Sequence, residues 1–490
     1  MIQGTSSNVG KSLLTAALCR IYADRGFKVF PFKSQNMALN SFVTPEGLEI
    51  GRAQALQAYA ARRLPEINMN PVLLKPETDS SCQVVLMGEP LTRLSGSSYF
   101  SQKNQLWGKV CEVLETVQKE NDLIIIEGAG SPAEINLKAN DIVNMRVARH
   151  LSAPVLLTAD IDRGGVFAFL YGTLELLEVE ERDLIKGFII NKFRGDISLL
   201  EPGLRMLEDL TDGRPTLGVI PYIKDLLLAQ EDSVFLDERR EFGTTGIDIA
   251  VIHFPHISNY DDFDALLIEK GLKLRFISRV EELGEPDWII LPGTKTTIGD
   301  LLWLKQTGLS EMITKLAEGG TPVTGICGGY QMLGRSINDD DGAEGYTGSF
   351  RGLALLPVKT DFTRKKKTIQ SSAKCISSSG FLAGLRGVKI SGYEIHMGET
   401  KLDNQSLAIF KTESGGFDGA ASASGKIWGT YFHGAFDEAE FRRGWLKTLR
   451  WTPEGRAVSL ETKRDEELDI LAQTVRDNID MNLLDRIIGL

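Results

Sequence analysis

Short β-branched runs alternate with longer stretches of helical period along the first half of the chain. Lys28–Phe32, Leu123–Ile126, Pro154–Thr158, Gly187–Asn191 and Thr216–Ile220 are apolar on both faces and predict strands. Such strands suit a parallel sheet covered by helices. The helices predicted between them include Lys11–Arg25, Arg52–Arg63, Gln102–Glu120 and Phe167–Leu177. The alternation breaks in a charged, turn-rich stretch, Gln230–Gly246, which predicts a domain boundary. A second alternation follows, with strands expected at Asp248–Phe254, Trp288–Leu291, Pro322–Ile326, Val388–Ser391 and Lys426–Tyr431. Pro357–Ser379 reads as a long loop or hairpin. Its basic tetrad Arg364-Lys365-Lys366-Lys367 reads either as an anion site or, more simply, as a solvated loop. After Asp437 the pattern is helical, and the apolar period of Leu468–Leu490 predicts a tail packed on the second domain. The expected fold is α/β, with two doubly wound domains of mainly parallel sheet at 1–232 and 246–440 and a helical tail at 441–490.

Composition narrows the class. The 490 residues are 42% hydrophobic and 25% charged, ordinary for a globular chain of two to four domains. Sixty-six acidic against 55 basic residues give a net charge of −11, which disfavours nucleic acid as a partner. No apolar run is long enough for a membrane span, and no secretion signal opens the chain. Cysteines 19, 82, 111, 327 and 375 lack CxxC spacing, which suits a reducing cytoplasm. Glycine, at 49 residues, often follows the apolar runs, as expected where loops at strand ends hold ligands.

The first chemical signal is Gly4-Thr-Ser-Ser-Asn-Val-Gly10-Lys11-Ser12 before an apolar helix. Backbone N–H groups of Thr5, Val9 and Gly10, with the helix N-terminus, form a cradle for the phosphates of ATP. Lys11 would reach the outer phosphates and the Ser12 hydroxyl would ligate Mg²⁺. The first glycine lies one place earlier than in the standard P-loop. This shifted form resembles dethiobiotin synthetase and its relatives, which phosphorylate a carboxylate. Leu123-Ile-Ile-Ile-Glu127-Gly ends a buried strand in an acid placed for Mg²⁺. Glu49 reads equally as a further metal ligand or as an exposed helix-start glutamate. Asp160 and Asp162, in Ala159-Asp-Ile-Asp-Arg-Gly-Gly, lie at a strand end where substrate binds in open α/β sheets. Asn191-Lys192 resembles the purine-contacting pair of this class, with a surface turn as the alternative.

The second half holds Gly325-Ile-Cys327-Gly328-Gly329 between a strand and a helix, the thiol version of a nucleophile elbow. The helix N-terminus favours the thiolate, and the N–H of Gly328 would serve an oxyanion hole. Gly293, in Leu291-Pro-Gly-Thr-Lys295, is the second oxyanion candidate. His433, in Trp428-Gly-Thr-Tyr-Phe-His-Gly, is the natural base and His396 the second choice. His253 and His256 make no convincing metal site, and His150 reads as a surface helix residue. The elbow and histidine resemble the class I glutamine amidotransferases, in which a thiol attacks the side-chain amide of L-glutamine and frees ammonia. That family places a glutamate two residues after the histidine. Here the position is Ala435. Glu394, Glu399 or Asp437 would have to substitute, or a dyad suffices.

The fused order resembles the cobyrinic and cobyric acid amidases of cobalamin biosynthesis. Phe32–Ser41, Gly51–Gln54, Met69–Pro76, Ala159–Phe167 and Ile257–Asn259 resemble the cobyric acid synthase branch in particular. The resemblance implies ATP- and glutamine-dependent amidation of a corrinoid polycarboxylate, adenosylcobyrinic acid a,c-diamide. Lys33, Gln35, Asn36 and Asn40 would then lie near substrate or phosphate. The rival within the enzyme class is cobyrinic acid a,c-diamide synthase, against which Gln35-Asn36-Met37-Ala38 stands. The rival from another class is a P-loop switch ATPase with a degenerate second domain, against which the Cys327/His433 pair stands. Oligomeric state, a homo-oligomer included, is left open.

Overall fold

The computed structural model describes residues 1–78, 81–224, 226, 228, 241–378, 380–402 and 407–490. The expected boundary at Gln230–Gly246 lies, up to residue 240, outside the described residues. Two compact units emerge. One comprises Met1–Ala38, Ile50–Leu228 and Arg464–Leu490; the other comprises Leu39–Glu49 and Ala229–Lys463.

The first unit is built on a parallel sheet. Val29–Phe32 pairs with Leu123–Ile126, whose end bridges from Glu127 to Ile2. Ile2–Gly4 then pairs with Val155–Asp160, followed by Ile185–Phe193 and Thr216–Pro221. Three residues suffice for the central strand because both neighbours bury it: Ile2, Gln3 and Gly4 are all inaccessible. The carboxyl ends of these strands present Thr5, Glu127, Asp160 and Asn191 along one edge, as the doubly wound fold requires. A smaller antiparallel sheet of Val72–Thr78, Ser81–Leu86 and Glu89–Ser95 was not expected; Gln35–Met37 joins its first strand in parallel.

The tail corrects the sequence expectation. From Arg464 onward it belongs to the first unit. Leu468, Leu471, Ala472, Val475 and Leu484 enter the same core as Leu14, Leu18 and Ile21 of the helix Lys11–Asp24. The strand Thr216–Pro221 receives the turn between the last two helices, Asp480 N–H donating to the Leu217 carbonyl at 2.8 Å. An apolar stripe identifies a buried face but carries no information about which core accepts it.

The second unit has a seven-stranded sheet in the order Glu241–Phe242, Leu272–Ile277, Ile247–Ile252, Trp288–Leu291, Val323–Ile326, Ile427–Thr430 and Ala420–Ala421. The middle five strands are parallel and the two edge strands antiparallel. The strand Leu272–Ile277 went unpredicted because lysine and arginine interrupt its apolar run. Trp288, Trp428 and Trp445 pack edge to face beneath the sheet, with ring centroids 5.4 to 5.7 Å apart between adjacent pairs. The segment expected as a loop or hairpin is one arm of a long antiparallel hairpin, Val358–Cys375 with Lys389–Leu402. Val388–Ser391 therefore belongs to this second sheet and not to the parallel one. Arg364, Lys365 and Lys366 of the basic tetrad occupy a bulge in that hairpin, and Lys367 resumes the pairing opposite His396. The tetrad is not simply solvated: Lys366 pairs with Glu49, and Lys367 with Glu394 at 2.5 Å.

Because Leu468 is fully buried in the first core, Leu468→Ala is expected to cost about 2–5 kcal/mol. The check is the urea unfolding midpoint of the full chain; an unchanged midpoint would remove the tail from that core.

Candidate functional site: a thiol–imidazole–carboxylate centre and a phosphate loop

Strand Val323–Ile326 runs into Cys327, and the helix Gly328–Leu333 starts immediately after it. Cys327 takes φ 50° and ψ −108°, a positive φ that non-glycine residues seldom adopt. Two anchors maintain that strain: the Cys327 N–H donates to Thr430 O at 2.8 Å, and Gly329 N–H to Pro292 O at 3.1 Å. The close approach requires glycine, since a Cβ at 329 would lie 1.9 Å from the Leu291 carbonyl oxygen. Gly328 opens the helix, so its N–H has no partner within that helix. A Cβ on Gly328 would press on Thr294, and one on Gly293 would sit 3.0 Å from Cε1 of His433. The two oxyanion candidates thus flank the thiol and the base.

His433 is buried, and the Cys327 side chain lies close enough to raise the pKa of its ring. Its Nδ1 lies 2.8 Å from Oδ2 of Asp262, whose other oxygen accepts the Gly434 N–H at 2.8 Å. Burial alone would pull the imidazole's pKa down. The Asp262 charge and hydrogen bond, aided by the Cys327 sulfur, outweigh that and push it up to about 10. The carboxylate that pairs with His433 is therefore Asp262, 171 residues before the histidine. This corrects the expectation of Glu394, Glu399, Asp437 or none. Glu394 instead engages Lys367 and His396; burial opposes its ionisation, yet those partners hold its carboxyl below the ordinary value. Glu399 is exposed on the hairpin. No spacing rule links residues 262 and 433; the available signal was a paired acid, Asp261-Asp262, shortly after a strand end.

The loop from His256 to Asp262 organises both sides of this centre. Ser258 N–H donates to Gly293 O at 2.9 Å, and Lys295 N–H to His256 O at 3.0 Å. Asp300 ties the same turn, accepting from Thr294 Oγ1 and lying 2.8 Å from His256 Nδ1. His396, the second choice for the base, stacks on Tyr431 at 3.7 Å and directs Nδ1 to Gly398 O.

In the first unit the loop Gly4–Ser12 wraps a concave backbone, with Asn8 at φ 61° and Gly10 at φ 98°. A Cβ at Gly4 would fall 2.6 Å from Val9 and 3.0 Å from Lys11 Nζ, so glycine keeps the cradle open. Lys11 Nζ reaches across the loop to Ser6 O at 2.8 Å and Gly130 O at 3.2 Å. Ser12 Oγ donates to Glu127 Oε1 at 2.7 Å. The same carboxylate takes Lys33 Nζ at 3.0 Å and Gln57 Nε2 at 2.5 Å. Burial would favour the neutral acid, but Lys33 and these hydrogen bonds lower the Glu127 pKa and keep it ionised. A hydroxyl and an ionised carboxylate side by side at a phosphate loop are the hard oxygen donors that Mg²⁺ takes.

The other expected residues divide between supporting and separate roles. Asn191 donates to Val9 O at 2.8 Å and Lys192 to Asn8 O at 2.7 Å, so this pair braces the phosphate loop. Asp160 takes Lys192 at 2.9 Å, and Asp162 faces Arg194 at 3.1 Å. Asn36 donates to Gln54 Oε1 at 2.9 Å, and Gln35 lies beside it in the same short strand. Asn40 and Glu49 fall in the second unit, where Glu49 pairs with Lys366. Glu49's carboxylate is thus engaged by a cation within that unit. No group of three metal-binding side chains occurs among the described residues, and none of their helices is long and apolar enough to cross a membrane.

Fold and site define a phosphate-loop module joined to a glutamine amidotransferase. A family described as the CobQ/CobB/MinD/ParA nucleotide binding domain matches residues 1–234, and the CobB/CobQ-like glutamine amidotransferase domain matches residues 248–441. Cobyric acid synthase of Dehalococcoides mccartyi (strain CBDB1) is 53% identical, over 98% of this chain and 97% of that protein. Cobyric acid synthases of Moorella thermoacetica and Sorangium cellulosum are 50% and 49% identical, each over 100% of this chain and over 97% and 98% of their own. The chain belongs to the cobyric acid synthase family. Among solved structures, PurLQS from Thermotoga maritima is 19% identical with a TM-score of 0.33, over 42% of this chain and 100% of that one.

Asp262→Asn is expected to lower kcat/KM for glutamine hydrolysis roughly 100-fold or more, read as glutamate release. Because His433's folded pKa lies above its ordinary 6.5, the pair's stabilisation is complete below about pH 6.5 and fades towards about pH 10. Unfolding midpoints of wild type and Asp262→Asn should therefore converge across that window; a constant gap would contradict the assignment.

Proposed function

We propose that this enzyme amidates the b, d, e and g carboxylates of adenosylcobyrinic acid a,c-diamide, consuming one ATP and one glutamine per amide, to give adenosylcobyric acid. The observation that carries the reading is the Cys327–His433–Asp262 array in a chain that also holds the Lys11/Ser12/Glu127 phosphate loop. Family membership supports the corrinoid as substrate.

The glutaminase chemistry follows from the array. The Cys327 sulfur, as thiolate, attacks the side-chain amide carbon of glutamine. Charge that develops on the amide oxygen is met by the N–H groups of Gly328 and Gly293. The His433 imidazolium, held by Asp262, donates its proton from Nε2 to the departing nitrogen, which leaves as ammonia. Water then releases glutamate from the thioester, with His433 now acting as base.

In the other unit Thr5, Val9, Gly10 and Lys11 would hold the ATP phosphates, and Ser12 and Glu127 would hold Mg²⁺. ATP supplies the phosphoryl group that turns a carboxylate into a good acceptor for ammonia. Lys33 balances the Glu127 charge and, with Asn191 bracing the loop, keeps the cradle in shape. Lys33, Gln35, Asn36, Asp160 and Asp162 remain the corrinoid-side candidates, supported by family membership, with Lys33 just after one strand of the parallel sheet and Asp160 at the end of another. A polycarboxylate reaching a chain of net charge −11 must be met by local positive charge. A cytoplasmic location completes the reading, supported by five cysteines that form no disulfide with one another.

Cys327→Ala is expected to abolish amidation from glutamine while leaving amidation from ammonium salts; retained glutamine hydrolysis would refute the nucleophile. Lys11→Ala should stop amidation from either nitrogen source yet leave glutamine hydrolysis measurable. Mass spectrometry of the corrinoid product should show four added amides. Two amides on cobyrinic acid would instead favour the a,c-diamide enzyme.

A further inference from the structure

The turn that carries Asp262 starts from a residue in an uncommon conformation. Asn259 takes φ 54° and ψ 40°, left-handed for a side chain, directly before the turn Tyr260–Phe263. Its backbone and side chain are all held. The Asn259 N–H donates to Asn40 Oδ1 at 2.7 Å, and its Oδ1 accepts the Ser41 N–H at 3.3 Å. Its Nδ2 donates to the Tyr393 hydroxyl at 3.1 Å, and that hydroxyl donates to Ser41 O at 3.2 Å. Asn40, Ser41, Asn259 and Tyr393 are all buried.

Tyr393 in turn lies on the catalytic base. Its ring is stacked on His433, with centroids 5.1 Å apart and planes 19° apart. The two backbones exchange hydrogen bonds, Tyr393 N–H to His433 O at 3.2 Å and His433 N–H to Tyr393 O at 2.9 Å. His433 is thus fixed at its edge by Asp262 and on its face by Tyr393, and both fixtures lead back to Asn259. Asn259 is held by Asn40 and Ser41, two residues from the excursion Leu39–Glu49, which the second unit takes from the early part of the chain.

We propose that Asn40, Asn259 and Tyr393 are positioning residues for the glutaminase base, so that Asn40 serves ammonia production and not corrinoid binding. The proposal rests on the amidotransferase reading above. Removing the Asn40 acceptor strands a buried N–H at a strained position and lets the turn relax. A small displacement of a base lowers the rate of the chemical step without weakening glutamine binding.

The test compares nitrogen sources in the full-length enzyme. Tyr393→Phe keeps the stacked ring but removes the hydroxyl; Asn40→Ala removes the acceptor. Each is expected to lower kcat with glutamine about 10-fold, with KM for glutamine within about twofold. With ammonium chloride as nitrogen source, kcat and the corrinoid KM should stay at wild-type values. The pH profile of glutamine hydrolysis should also shift in both variants, which a merely destabilised enzyme would not show. A raised corrinoid KM with both nitrogen sources in Asn40→Ala would overturn the proposal, as would unchanged glutamine kcat in either variant. Should wild type hydrolyse glutamine yet amidate no corrinoid from either source, the substrate reading fails, and the glutamate-release rates still decide the positioning role.

Discussion

A buried imidazole beside a buried carboxylate is the constraint on which the second unit's architecture turns. An unpaired charge at either position would be costly, and the pair holds only when geometry and hydrogen bonding are complete. Asp262 meets this with both oxygens, one on the His433 ring and one on the Gly434 backbone. The turn that presents Asp262 also holds Gly293 through Ser258, and it starts from a left-handed asparagine. Hydrogen bonds and a ring contact therefore run without a break from Asn40 through Asn259 and Tyr393 to His433.

The phosphate-loop unit solves a related problem with different chemistry. Glu127 is buried and ionised because Lys33, Gln57 and Ser12 converge on it from three separate elements. A carboxylate so surrounded stays charged although it is buried. Asn191 and Lys192 hold the loop backbone from the next strand but one. Their hydrogen bonds to Val9 O and Asn8 O fix the shape of that loop.

Both sites follow the rule that parallel strands deliver function at their carboxyl ends. Cys327 and Gly293 follow strands of one sheet; Thr5, Glu127 and Asp160 follow or end strands of the other. These positions were legible because each couples an apolar run to a glycine turn and a reactive side chain within about ten residues. The residues that escaped were those set by contacts across long intervals. Asp262 sits among several acids with no spacing to His433. Asn40 resembles a substrate residue in its motif but is held by Asn259 once the chain folds. The basic tetrad resembles a solvated loop until the hairpin aligns Lys367 with Glu394.

Local chemistry written into the chain thus determined the two modules, the phosphate loop and the cysteine elbow, because backbone geometry at a strand–turn–helix junction depends on neighbours in sequence. Tertiary structure alone decided which acid pairs with His433, which core receives the helical tail, and which unit claims residues 39–49. Those outcomes depend on desolvation and on partners far away in sequence. A burial stripe or a lone carboxylate fits many such partners until packing selects one.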